Sequence, residues 1–148
     1  MRQAFTETLK LAIDRADSAA RELNQEFVGT EHLLLGLLSA EEGEAARALT
    51  RNIDPAVLRS ALASELPRGA EPPMVSGRLP LSPRAQRAIN IGIVKAQSAG
   101  AANVSTRFAL LALLEEPGPA IQRGLSDAGG DLDELVQALA AKPGELEK

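Results

Sequence analysis

Sliding the chain by 76 positions lays residues 5–49 on 81–125 without a gap. Eleven positions then coincide: Ala12/Ala88, Ile13/Ile89, Ala20/Ala96, Val28/Val104, Thr30/Thr106, Leu34/Leu110, Leu35/Leu111, Leu37/Leu113, Leu38/Leu114, Arg47/Arg123 and Leu49/Leu125. Ala and Leu are common enough to match by chance, so the pattern carries the argument rather than the count. Thr6 falls opposite Ser82 at a helix start, Phe5 opposite Leu81, Ala16 opposite Gly92 and Gly36 opposite Ala112. One inserted residue aligns Asp54 with Asp131, Leu58 with Leu135 and Leu62 with Leu139. Two copies of this size are each marginal alone. The repeat therefore predicts a pseudo-twofold pair, with the groove between copies as the natural binding place.

Each copy reads as helix. Behind Thr6, a good N-cap, Leu9, Ile13, Ala16, Ala20, Leu23 and Phe27 recur at spacings of three and four, one stripe of a helix that Asn24-Gln25 ends. Thr30 is expected to cap a second helix, with Glu31 favoured by the dipole at its first position and Leu33 to Leu38 apolar nearly all round. A third helix is expected from Glu44 to Arg51. Asp54-Pro55 opens a fourth ending near Leu66. In the second copy Asp131-Leu132-Asp133-Glu134 reads as a capping box for the last helix. Residues 67–80 hold four Pro and two Gly and read as a linker. The expected layout is a first repeat at 1–66, the linker at 67–80, a second repeat at 81–141 and a frayed tail at 142–148, the two repeats forming one compact domain. The fold class is all-α, eight helices in two pseudo-twofold four-helix repeats.

Composition removes several functions. The net charge is −4 and neither Trp nor Tyr occurs, which disfavours nucleic-acid binding. There is no Cys and one His, so disulfide scaffolds and Cys/His zinc sites drop out, and no metal or cofactor is expected. The longest apolar run, Leu33 to Leu38, cannot span a bilayer. A soluble, monomeric, cytoplasmic protein is expected. Residues 1–66 hold 11 acidic and 7 basic side chains and so the whole negative excess, read as solvated faces or a cation-attracting surface. No phosphate-binding P-loop and no Gly-x-Ser-x-Gly elbow occurs. His32 faces Phe108 in the repeat, which suits a packed or capping ring better than a catalyst, and the pairs Glu41/Glu42 and Glu115/Glu116 suit solvated junctions. No catalytic residue is assigned. Thr6, Thr30, Glu31 and Phe5 remain of interest. A hydroxyl at one helix start and a carboxylate at another could clamp a ligand bearing both charges.

The motif Phe5-Thr6-Glu7, the run Val28-Gly29-Thr30-Glu31-His32-Leu33-Leu34-Leu35-Gly36-Leu37-Leu38 and the duplication together resemble the N-terminal domain of the Clp ATPases, in its ClpC-like form and without the AAA+ modules. The similarity covers residues 5 to about 140, and the second copy, Val104 to Leu114, is degenerate. The resemblance implies a double Clp-N motif of eight helices that binds protein or peptide partners: adaptors, substrates or Clp unfoldase and protease components. Alternatives are an accessory subunit docking on the Clp core, or the N-terminal fragment of a ClpC-like ATPase. Some such domains bind phosphorylated arginine, the acid of the Gly-Thr-Glu-His motif taking the guanidinium and a helix start the phosphate. Glu31 and Thr6 match that half-site. Arg107 stands where the second acid belongs, so at most one site is implied. The resemblance also implies a hydrophobic docking edge at Phe5, Lys10, Leu81 and Gln86, weakened by Leu in place of an aromatic at 81. An enzyme centred on Glu31 and His32 is the rival from another class.

Overall fold

The structure, a computed structural model, describes residues 4–141 and 147–148. Its helices are α1 (Glu7–Glu22), α2 (Thr30–Ser39), α3 (Glu44–Asn52) and α4 (Pro55–Glu65), then α5 (Pro83–Ser98), α6 (Thr106–Glu115), α7 (Gly118–Asp127) and α8 (Leu132–Ala140). Two strands of two residues each, β1 (Ala4–Phe5) and β2 (Asn103–Val104), complete it.

The long helices start alike. Thr6 Oγ1 accepts from the Leu9 N–H at 3.0 Å and Ser82 Oγ from the Ala85 N–H at 3.1 Å. Leu9, Ala12, Ile13, Ala16 and Ala20 form the buried stripe of α1, and Ala85, Ala88, Ile89, Gly92 and Ala96 that of α5. The α1 stripe ends sooner than its spacing suggests. The helix stops at Glu22, Asn24 turns the chain at φ 54°, and Phe27 lies beyond, 52% exposed. Asp54 and Asp131 cap α4 and α8 as expected, accepting from Ala56 N–H and Glu134 N–H at 3.0 Å.

Helix α2 corrects one expectation. Its N-cap is Gly29, and Thr30 is the first helical residue. The capping acceptor is His32 Nδ1, which takes the Gly29 N–H at 2.8 Å. Seven of its ten residues are buried, yet Leu35, like its counterpart Leu111, is only half-buried; Leu34 and Leu110 are the fully buried members. The α1–α2 crossing is tight because of Gly36. A Cβ there would stand 2.1 Å from the Ala12 carbonyl oxygen. The second copy moves its glycine to the other helix, where Gly92 of α5 approaches Phe108 and Ala109 of α6.

The repeats are interlocked. In the parallel pair β1–β2, Phe5 sits opposite Val104, and a lone bridge joins Val28 to Leu81. These two contacts are one contact under the 76-residue shift. Each repeat thus lends its entry segment to the chain ahead of the other's central helix. Farther out α4 packs on α7 and α3 on α8. At the centre a void of about 10 Å³ is lined by Leu9, by Ala12, Ile13, Leu33 and Leu37, and by their counterparts Ala88, Ile89, Ala109 and Leu113. Four helices therefore share one apolar seam about the pseudo-twofold. Residues 67–80 return along α1: Gly69 N–H donates to Leu23 O at 2.8 Å, and the Leu79 N–H to Asp17 Oδ1 at 2.6 Å.

The expected fraying of 142–148 falls partly outside the described residues, which omit 142–146. Residues 147–148 make hydrogen bonds to the first repeat and to α6. The Thr8 N–H and hydroxyl donate to the main-chain oxygen of Lys148 at 3.0 and 2.8 Å, and Glu147 reaches the starts of α3 and α6. Helix starts with free N–H groups give an acidic side chain partners that sequence spacing cannot reveal.

Candidate functional site

The crossed strands create two corners related by the pseudo-twofold. At the first, the Thr6 N–H donates to Val104 O at 3.0 Å, which sets the start of α1 beside the start of α6. At the second, the Ser82 N–H donates to Val28 O at 2.8 Å, which sets the start of α5 beside the start of α2. The consequence for the expected half-site is direct. Thr6 belongs to the corner of Thr106 and Arg107, whereas Glu31 belongs to that of Ser82. The structure does not bring Thr6 and Glu31 together, because each helix start serves the opposite repeat. Pairing within one copy is the natural reading of a linear motif, and only the exchange of entry segments reverses it.

At the first corner Thr6 both caps α1 and donates its hydroxyl to Glu147 Oε2. Thr106 Oγ1 accepts from the Ala45 N–H at 3.0 Å and donates to Glu147 Oε1. The Thr106 N–H donates to Oε2 at 2.8 Å, and the Glu44 N–H to Oε1 at 3.0 Å. Arg107 does not point its charge at this carboxylate. Its guanidinium lies 4.4 Å over the Phe108 ring, donates to Leu139 O at 3.1 Å, and approaches Glu44 Oε2 at 3.4 Å. Burial pushes the Glu44 carboxyl above its ordinary 4.5, and Glu147 adds to this; the nearby Ser105 hydroxyl, Arg107 and Arg47 pull the other way. A cleft of about 580 Å³ opens here, walled by these groups, by residues 99–103 and by Ala140.

At the second corner Thr30 Oγ1 donates to Glu31 Oε2 at 3.1 Å. His32 is buried, with Nδ1 committed to the Gly29 N–H, so its proton resides on Nε2, which has no partner. Burial lowers the pKa of this imidazole, against a smaller opposing pull from Glu31. A ring so placed is a cap and a packing element.

Phe5 and Leu81 are half-buried against the core. Lys10 is exposed and pairs with Glu7 at 3.3 Å, and Gln86 is exposed and donates to Asn90 at 3.0 Å. Gln86 also borders a groove of about 1030 Å³ along the outer faces of α5 and α6, where Ile91, Val94 and Leu111 expose apolar surface. Sequence reading missed this groove. Its signal was the pair Ile91 and Val94 lying off the buried stripe of α5. Among the described residues no His, Asp and Glu cluster could hold a metal ion, and no helix is long and apolar enough to cross a membrane.

Residues 4–128 match the Clp repeat (R) N-terminal domain family. The chain belongs to this family. A Clp protease ATP-binding subunit ClpA homolog from Trieres chinensis is 32% identical over 136 residues, which is 91% of this chain and 15% of that protein. The Clp repeat fold is matched by the Hsp104 N-terminal domain of Candida albicans, with a TM-score of 0.77, 18% identity, and coverage of 93% of this chain and 89% of that one. A complex of the ClpV N-domain with VipB peptide gives a TM-score of 0.70 at 18% identity, covering 92% of this chain and 84% of that one. The described residues of this Clp repeat domain form eight helices and two strands of two residues each, an all-α fold. The chain spans 15–17% of the length of the curated relatives it matches.

Proposed function

We propose that this Clp repeat domain is a non-catalytic module that binds protein or peptide partners, adaptors or substrates, for Clp-dependent unfolding and degradation in the cytoplasm, and that it acts as a monomer. The observation that carries the reading is family membership over residues 4–128 together with a corner whose helix starts hydrogen-bond the Glu147 carboxylate and the main chain of Lys148. The ClpV N-domain, of the same fold, has been solved with a peptide bound. His32 serves as a cap, which counts against an enzyme at Glu31 and His32. Capture with the full-length protein as bait tests the reading: Clp unfoldase or protease subunits are expected. Phe5→Ala combined with Leu81→Ala should weaken that capture if the partner docks on the edge of Phe5, Lys10, Leu81 and Gln86. Absence of Clp components from the wild-type capture would overturn it.

The outer groove of α5 and α6 favours a second reading, an accessory subunit docked on the Clp core. That binding would be lost in Val94→Asp and would tolerate loss of Phe5 and Leu81. For phosphoarginine we propose a single half-site at Glu31 and the start of α2, because Arg107 would repel a guanidinium at the other corner. Glu31→Ala should abolish such binding with little change in melting temperature, and an unchanged affinity would remove the half-site.

A further inference from the structure

Four donors from three helix starts converge on the carboxylate of Glu147. Oε2 takes the Thr106 N–H at 2.8 Å and the Thr6 hydroxyl; Oε1 takes the Glu44 N–H at 3.0 Å and the Thr106 hydroxyl. Each oxygen thus receives two hydrogen bonds, which meets the acceptor capacity of an ionised carboxylate. The hydroxyls are not free to turn around. Thr6 Oγ1 already accepts from the Leu9 N–H and Thr106 Oγ1 from the Ala45 N–H, so both protons are directed into the cradle. Thr6 and Thr106 are themselves buried, at 6% and 0% exposure, so a neutral occupant would leave buried donors poorly matched. The positive ends of α3 and α6 add to the same preference. The grip continues to Lys148, whose main-chain oxygen accepts from both the N–H and the hydroxyl of Thr8.

We propose that this cradle is a docking site for a glutamate side chain carried on an extended peptide, and that residues 147–148 occupy it in cis as a competitor. A singly charged carboxylate fits better than a phosphate. The four donors are paired on two oxygens, and the Glu44 carboxylate already feels the Glu147 charge, so a second negative charge would face added repulsion. Occupation in cis is strongly favoured by tethering. Five residues separate Ala141 from Glu147, and Ala140 lines the same cleft. A competitor carried on the same chain binds in an intramolecular step. A partner segment must outcompete it.

The inference rests on the peptide-binding reading for its natural partner, but its test contains no Clp component, so the two can fail separately. A fluorescein-labelled peptide with the sequence of residues 143–148 is titrated by anisotropy into the wild-type chain and into Glu147→Gln. The variant should bind at least about tenfold tighter, since its own segment no longer competes. A peptide with Gln at the position of Glu147 should lose about tenfold or more in affinity for that variant. Equal affinity of both chains, equal affinity of both peptides, or tighter binding of a phosphoserine version at that position would overturn the proposal. A second measurement uses the wild-type chain alone. Saturation with peptide should shift the Glu147 side-chain carboxyl carbon resonance, and binding that leaves it unmoved would equally overturn it.

Discussion

Adding one methyl group at Gly36 and at Gly92 should have opposite consequences. At Gly36 the new Cβ would lie 2.1 Å from the Ala12 carbonyl oxygen and 2.9 Å from the Ala16 nitrogen, both backbone atoms of α1. An ordinary C···O contact is about 3.3 Å, so α1 and α2 must separate by about 1 Å, enough to forfeit up to half the dispersion energy of contacts along the crossing. Overpacking of this kind costs about 1–3 kcal/mol, and rigid backbone obstacles put Gly36→Ala toward the upper end. Ala returns about 1 kcal/mol of helix propensity. The net loss is about 2 kcal/mol, or a fall in Tm of about 4–8 °C for a chain of this size. At Gly92 the nearest atoms are the Phe108 oxygen at 3.3 Å and Ala109 backbone at 3.4 Å. A shift of a few tenths of an ångström suffices, so Gly92→Ala should lie within about 1 kcal/mol of the parent, on the neutral or stabilising side. Thermal and urea unfolding followed by circular dichroism measure both. A Gly36→Ala variant as stable as the parent, or a Gly92→Ala variant that falls as far, would refute the packing argument.

Leu34→Ala should cost about 2–5 kcal/mol in urea unfolding, because Leu34 is fully buried, while the half-buried Leu35 should cost distinctly less; equal losses would contradict the orientation of α2. The lowered pKa of His32 means that the unfolded chain binds the proton more readily. The His32 contribution to stability should be fully present above pH 6.5 and decline as pH falls below it, and His32→Phe should remove that slope from stability measured against pH. Glu44 has the opposite sign. Its raised pKa makes its ionised form a cost to the fold, absent well below pH 4.5 and growing as pH rises through the folded pKa. Glu147→Gln should bring that pKa, read from the carboxyl carbon resonance, back toward its ordinary value, and no movement would separate the two carboxylates.

Much of this fold is written in residue spacing. The 76-residue shift carries Phe5–Val104 onto Leu81–Val28, and the helix starts at Thr6, Ser82, Asp54 and Asp131 follow from side chains that accept from their own helices. The site was less legible. A repeat states which residues correspond but not which copy each one serves, so the family resemblance pairs Thr6 with Glu31 although the entry segments cross. The cap at Gly29 was hidden because its acceptor is the imidazole of His32 three residues on, and no pattern in the tail distinguishes Glu147 from any solvated acid. Local rules saw the helices. The contacts that build the corners span 41 to 141 residues.

The crossed pairing of entry segments is the claim on which both corners depend, and the absence of native Cys gives it a clean test. Phe5→Cys with Val104→Cys should close an intramolecular disulfide on mild oxidation, since residues facing each other on neighbouring strands fall within bridging range. Phe5→Cys with Val28→Cys, a pair within one copy that the crossed strands do not place opposite each other, should stay reduced. Closure of the second pair and not the first would contradict the account.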